Sequence, residues 1–340
     1  MDEKTLKPGT HIPVLEKEVV AFLRPKTGGV YVDCTLGLGG HTLALFNACK
    51  DIKIYAIDAD CESMELAKKN LTSFNSNINF LWSNFKEIGS IIPEKVDGIL
   101  FDLGLSSFHI DTPDRGFSHR FDSPIDMRFN RESGLPCYKM LEKLKVDDLE
   151  FILKEYGEEY LARRIARLVI ESKPKTTMEL RDIIANITPW KGRSKTLGRV
   201  FQALRIFMND ELNSLSKGIE DATKLLKPRG RICTIAYHSL EDRIIKRYFR
   251  TSQELREVTH RAVVPTDFEI ENNHRARSAK MRCAERIEEG EKERLREKGM
   301  RERRKDRDGG WGRERRGDWG PERGRGNTEN REILDADKRR

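Results

Sequence analysis

An α/β fold with a doubly wound sheet, an inserted all-helical block and a disordered tail is the class this sequence predicts, on three observations. A β-branched run, "GVYVDC" at 29–34, passes through glycines into the helix-patterned "HTLALFNAC" at 41–49. Strand-like runs continue the βα rhythm at "KIYAID" (53–58), "INFLWSNF" (78–85) and "VDGILFDLG" (96–104). Between roughly 135 and 210 the apolar residues instead recur at helical spacing, with no strong strand among them. Short β-branched runs bounded by turn residues predict strands, and apolar positions three and four apart predict helices.

The first unit turns on Gly37, Gly39 and Gly40. A glycine elbow between strand and helix lets bare backbone approach a ligand, commonly a nucleotide-like one. "KIYAID" then ends in Asp58, where a carboxylate can accept hydrogen bonds from ribose hydroxyls. Position 42 is Thr, so the full G-x-G-x-x-G fingerprint is missing and a pyrophosphate is disfavoured. S-adenosylmethionine needs the same backbone approach and the same acid but brings no phosphates to the helix N-terminus. On these residues alone two other readings stay open: a tight turn beside a solvated Asp58, or a nicotinamide dinucleotide site.

The fourth strand delivers Asp102 to the carboxyl edge of the sheet, where ligand crevices lie. "YGEEYLARRIARLVIESK" (156–173) reads as one amphipathic helix with Glu159 and Arg163 paired four residues apart. After a helix ending near "LKPRG", the sheet resumes with "GRICTIAYHS" (230–239). Ser239 can cap the next helix, with Asp242 completing a capping box. His238, at the strand end, is either a site residue or a hydrogen-bonded structural histidine.

Composition sets the remaining bounds. The chain has 340 residues and a net charge of +8, of which residues 291–340 carry 18 basic minus 13 acidic, or +5. That segment is rich in Arg, Gly and Glu and poor in aliphatic residues, so it cannot bury enough surface to offset its chain entropy. Six cysteines without a C-x-x-C pair, and no signal peptide or long apolar run, fit a cytoplasmic protein without a membrane anchor. The seven histidines do not cluster with cysteines at ligand spacing, so no metal site is expected.

The stretch "FDLGLSSFHIDTPDRGFSHRFDSPIDMRFN" (101–130) is too peculiar for propensity to explain. With "HIPVLEKEV" (11–19), "VDCTLGLGGHT", "YGEEYLARRIAR" (156–167), "RVFQALRIFMNDEL" (199–212), "HSLEDRIIKRYF" (238–249) and "RARSAKMR" (275–282), it resembles the 16S ribosomal RNA cytosine-N4-methyltransferase family, RsmH or MraW, over roughly residues 11–287. The resemblance implies a Rossmann-like class I methyltransferase that uses S-adenosylmethionine to methylate the exocyclic N4 of a cytidine at the peptidyl site of the decoding region. Its partner would be 16S rRNA within the small ribosomal subunit, with a homodimer as a further possible assembly.

Carried over by motif, cofactor contacts would be Gly39, Gly40, His41, Asp58, Phe85, Asp102 and His109. His109 stands where the family usually has Gln. Asp102 and His238 are the candidates for catalysis, and Arg115, Arg128, Arg199, Arg205, Arg243, Arg275 and Arg277 for RNA contact. Two more departures from the pattern are "KTLGR" (195–199), where the family usually has His-Pro-Ala-Thr-Arg, and His274 in place of a proline. The expected organisation is a first methyltransferase part (1–110), a helical substrate-recognition domain (111–210), a second methyltransferase part (211–290) and the tail (291–340).

Overall fold

A computed structural model of the chain describes residues 13–288, with 290 and 291. Seven strands build one sheet: β1 (Gly29–Asp33), β2 (Ile52–Asp58), β3 (Ile78–Trp82), β4 (Val96–Asp102), β5 (Leu226–Ala236), β6 (Leu255–Glu257) and β7 (Lys280–Arg286). Their order is β3-β2-β1-β4-β5-β7-β6. β1 to β5 run parallel, and β7 is antiparallel to both its neighbours. After β3 the chain crosses to the far side of β1 to lay down β4. The carboxyl ends of β1 and β4 therefore flank a topological switch point, the usual ligand crevice of such sheets.

Every residue of β1 is buried, as is β4 as far as Phe101, because helices cover both sheet faces. Alternation along β4 divides its side chains between two cores. Leu100 joins Leu45, Phe46 and Ile54 on one face, while Ile99 and Phe101 join Val32, Ile219 and Ile245 on the other.

Between β4 and β5 lie the helices Cys137–Lys143, Val146–Glu155, Ala162–Ser172, Thr177–Ile187 and Trp190–Asn209. They share a third core that includes Leu153, Ile165, Ile184 and Leu204. The next helix, Glu211–Leu225, returns to the sheet through Leu215, Ile219 and Ala222. Two units divide the chain: Met1–Arg131 with Leu135–Ile287, which holds every element above, and Glu132–Gly134 with Glu288–Arg340. The segment 291–340, expected to be disordered, lies outside the described residues apart from Glu291.

Local structure departs from the sequence reading at four places. The helix expected over 156–173 begins only at Ala162, because Glu158 is left-handed (φ 49°) and the Glu159 carboxylate accepts from Leu161 N at 2.9 Å. Arg163 consequently pairs with Glu150 at 2.7 Å instead of with Glu159. β5 starts at Leu226, with its register against β4 shifted between Val96 and Gly98. The capping box also sits one residue earlier: His238 Nδ1 accepts from Glu241 N at 3.4 Å, and the Glu241 carboxylate accepts from the backbone N–H of His238 and Tyr237. Finally, the antiparallel strands β6 and β7 were not expected at all.

Candidate active site

The elbow is pinned at both ends by carboxylates. Asp33, buried at the end of β1, accepts from Thr42 Oγ1 at 2.8 Å and from Thr35 N at 3.2 Å, tying the strand to the helix Gly40–Ala48. Asp58, at the end of β2, accepts from Gly37 N at 2.7 Å and from Asp60 N at 2.8 Å. Desolvation pushes the Asp58 carboxyl up to about 7 in spite of these two bonds. Gly39 has φ 84°, and a Cβ there would come within 2.7 Å of Leu71 Cδ1. Gly39→Ala is therefore expected to cost about 2 kcal/mol, measured by denaturant unfolding, through left-handed strain and that clash.

Asp102 ends β4 opposite the elbow. Its N–H donates to Thr35 Oγ1 at 2.7 Å, its Oδ1 accepts from Tyr237 Oη at 2.8 Å, and its Oδ2 lies 3.3 Å from His41 Nε2. Burial opposes charge on His41, but Asp102 and Asp33 outweigh it, and the imidazole pKa is raised. Phe85 packs edge-on against Phe101 with centroids 5.4 Å apart. The helix Glu211–Leu225 approaches it so closely that a Cβ on Gly218 would be 2.9 Å from the Phe85 ring.

Asp58, Phe85, Gly37, Gly40, His41 and Asp102 line a cavity of about 320 Å³, whereas Gly39, packed toward Leu71, is not on its lining. Arg205, Glu211, Tyr237, Glu241 and Arg275 are also on the lining. Glu211, Tyr237 and Glu241 were missed by sequence reasoning. Glu211 and Glu241 sit inside quoted motifs, but nothing in one dimension says that they meet. Burial pushes the Glu211 carboxyl up even with Arg205 beside it.

His109 lines the cavity, yet both ring nitrogens are engaged by the protein. Nδ1 accepts from Ser106 N at 3.3 Å and Nε2 lies 2.7 Å from Asp60 Oδ2. Desolvation would raise Asp60, but His109 and Arg115 hold its carboxyl down at about 2. His238 is not on the cavity lining; its ring caps a helix, with Nε2 3.1 Å from Glu241 Oε1. Glu211, His238 and Glu241 bring ligand-type atoms within 4.8 Å of one another. Because His238 Nδ1 accepts a backbone N–H, the neutral ring carries its proton on Nε2 and has no lone pair there for a metal ion.

The candidate RNA-contact arginines divide by burial. Arg115 is a correction: it is fully buried, 2.9 Å from Asp60 Oδ2 and donating to the carbonyls of Arg128 and Phe129, so it cannot reach a phosphate. Arg128 forms a two-pronged pair with Asp126, and Arg205 one with Glu211. Arg199 lies 3.3 Å from Glu159, and Arg243 lies 3.1 Å from Glu158. Arg275 bridges to Asp111, while Arg277 is exposed.

A parallel sheet with an antiparallel seventh strand, a glycine elbow after β1 and acids at the ends of β2 and β4 define a Rossmann-like class I methyltransferase. The match over residues 9–287 is to the MraW methylase family, and the chain belongs to that family. A relative from Nostoc sp. (strain PCC 7120), named ribosomal RNA small subunit methyltransferase H, is 44% identical over 280 residues, covering 81% of this chain and 92% of its own. One of the same name from Thermotoga neapolitana is 39% identical over 291 residues, covering 82% and 97%. Among solved structures, an N-methyltransferase from Bradyrhizobium japonicum in complex with S-adenosyl-L-homocysteine aligns over 80% of this chain and 86% of its own at 9% identity, with a TM-score of 0.39.

The methyl donor is S-adenosylmethionine, and the cavity residues fit it. The elbow offers backbone without side chains, Asp58 offers two carboxylate oxygens to a sugar, and the aromatic Phe85 lies on the same wall. Among the described residues, no helix is long and apolar enough to cross a membrane.

Proposed function

We propose that the chain methylates the exocyclic N4 of a cytidine in 16S rRNA, at the peptidyl site of the decoding region within the small ribosomal subunit, and does so in the cytoplasm. The observation that carries this reading is the match to ribosomal RNA small subunit methyltransferase H over more than nine-tenths of such a relative's length. In this reading Gly39, Gly40 and His41 cradle the donor, Asp58 holds its ribose, Phe85 flanks its adenine and Asp102 stands at its methionine end. S-adenosylmethionine supplies a methyl group activated by its sulfonium.

Cytidine N4 is a weak nucleophile because its lone pair is delocalised into the ring. The protein's task is therefore to hold N4 in line and to accept its hydrogen bond as the amino proton is lost. Tyr237 and His41 flank the Asp102 carboxylate, which fixes its orientation at the crevice. A base can enter the cavity only unstacked, a conformation that looped RNA reaches at low cost. Residues 111–210 form the substrate-recognition part in this proposal, with Arg275 and Arg277, just before β7, as phosphate contacts.

Incubation with labelled S-adenosylmethionine and immature small subunits, followed by digestion to nucleosides, is expected to yield N4-methylcytidine. Label appearing in another nucleoside, in DNA or only in protein refutes the proposal.

A further inference from the structure

One buried ion pair lines the cavity without bonding to the elbow, to Asp58 or to Asp102. Arg205, near the end of the helix Trp190–Asn209, donates from Nε and Nη2 to the two oxygens of Glu211 at 2.8 Å each. Their side chains are only 11% and 12% exposed, yet both face the cavity. A guanidinium carries five N–H donors, so two used by Glu211 leave three. Among the described residues these three have no further hydrogen-bond partner. The Glu211 oxygens likewise keep spare lone pairs. Taking two charges out of water is costly, and a pair left facing a cavity with donors and acceptors unspent is built to receive a polar ligand.

We propose that Arg205 and Glu211 read the Watson–Crick edge of the target cytosine: Glu211 accepts from the N4 amino group, and the free edge of Arg205 donates to N3 and O2. This rests on the cytidine reading above and adds the residues that select the base. Cytosine presents one donor and two acceptors in the order this pair complements. Uracil inverts the first two, setting O4 against the carboxylate and N3–H against the guanidinium, and a site built for one pattern rejects the other because buried groups are left unpaired. Arg205 is thus a base contact and not a backbone contact, which accounts for its burial.

The test uses the full chain and small subunits that carry C or U at the methylated position. The wild-type protein is expected to bind the C form about tenfold or more tighter than the U form. Glu211→Gln, whose amide can donate to O4, should bring the two within about twofold of each other, and Arg205→Lys should narrow the gap, while S-adenosylmethionine affinity by calorimetry is retained. A preference kept intact in either folded variant, or absent from a wild-type protein that does produce N4-methylcytidine, overturns the inference. Failure of the wild type to produce N4-methylcytidine overturns the parent reading instead.

Discussion

Asp58→Ala is expected to weaken S-adenosylmethionine binding about a hundredfold or more. Two sugar hydroxyls would lose a charged acceptor, each such bond being worth about 1.5–3 kcal/mol. The substitution also strips Gly37 N–H and Asp60 N–H of their acceptor and so loosens the elbow itself. The same carboxyl gives binding a pH dependence. In the ligand-free protein desolvation places it at about 7, and hydroxyl donors favour its ionised form. Below pH 7 the group holds a proton that binding must displace, so affinity should rise with pH through about 7 and level off above it. The limiting slope is about tenfold per pH unit. Asp58→Asn should abolish that slope; calorimetry at pH 5.5, 7 and 8.5 measures both effects.

Arg115→Leu should destabilise the fold by about 3–5 kcal/mol, the usual cost of leaving one member of a buried pair without its partner. The change removes the cation 2.9 Å from the Asp60 carboxylate and deprives the carbonyls of Arg128 and Phe129 of their donor. It also reaches the cavity indirectly, since Asp60 caps the helix Cys61–Asn70 and its N–H bonds to Asp58. Denaturant unfolding of the variant measures the loss. A phosphate contact would behave otherwise: stability would be kept, and the salt slope of RNA binding would fall by about one.

The cofactor half of the site was legible because its parts are local. A strand, a glycine turn and an acid at the next strand's end are each a short pattern, and β1, β2 and β4 bring them to one edge of the sheet. Arg115 illustrates what stays hidden: a buried arginine and a phosphate-binding one carry the same letter, and partners such as Asp60, fifty-five positions earlier, decide between them. The base-side wall was hidden for the same reason. Arg205 and Glu211 belong to two helices, Tyr237 and Glu241 to the end of β5 and the helix after it, and their convergence is tertiary. The helix cap was misplaced by a single residue of register: His238 takes the role expected of Ser239, because its ring accepts a backbone N–H as a serine hydroxyl would. β6 was too short at three residues, and β7 too charged, to stand out as strands.

A crystal structure with S-adenosyl-L-homocysteine bound tests the central claim most directly. The ribose hydroxyls should lie within hydrogen-bond distance of Asp58, the thioether should point toward Asp102, and the wall formed by Arg205 and Glu211 should remain open to a base. A ligand lodged away from the Gly37–Gly40 elbow, or one whose sugar ignores Asp58, would contradict the assignment of this cavity as the methyl-transfer site.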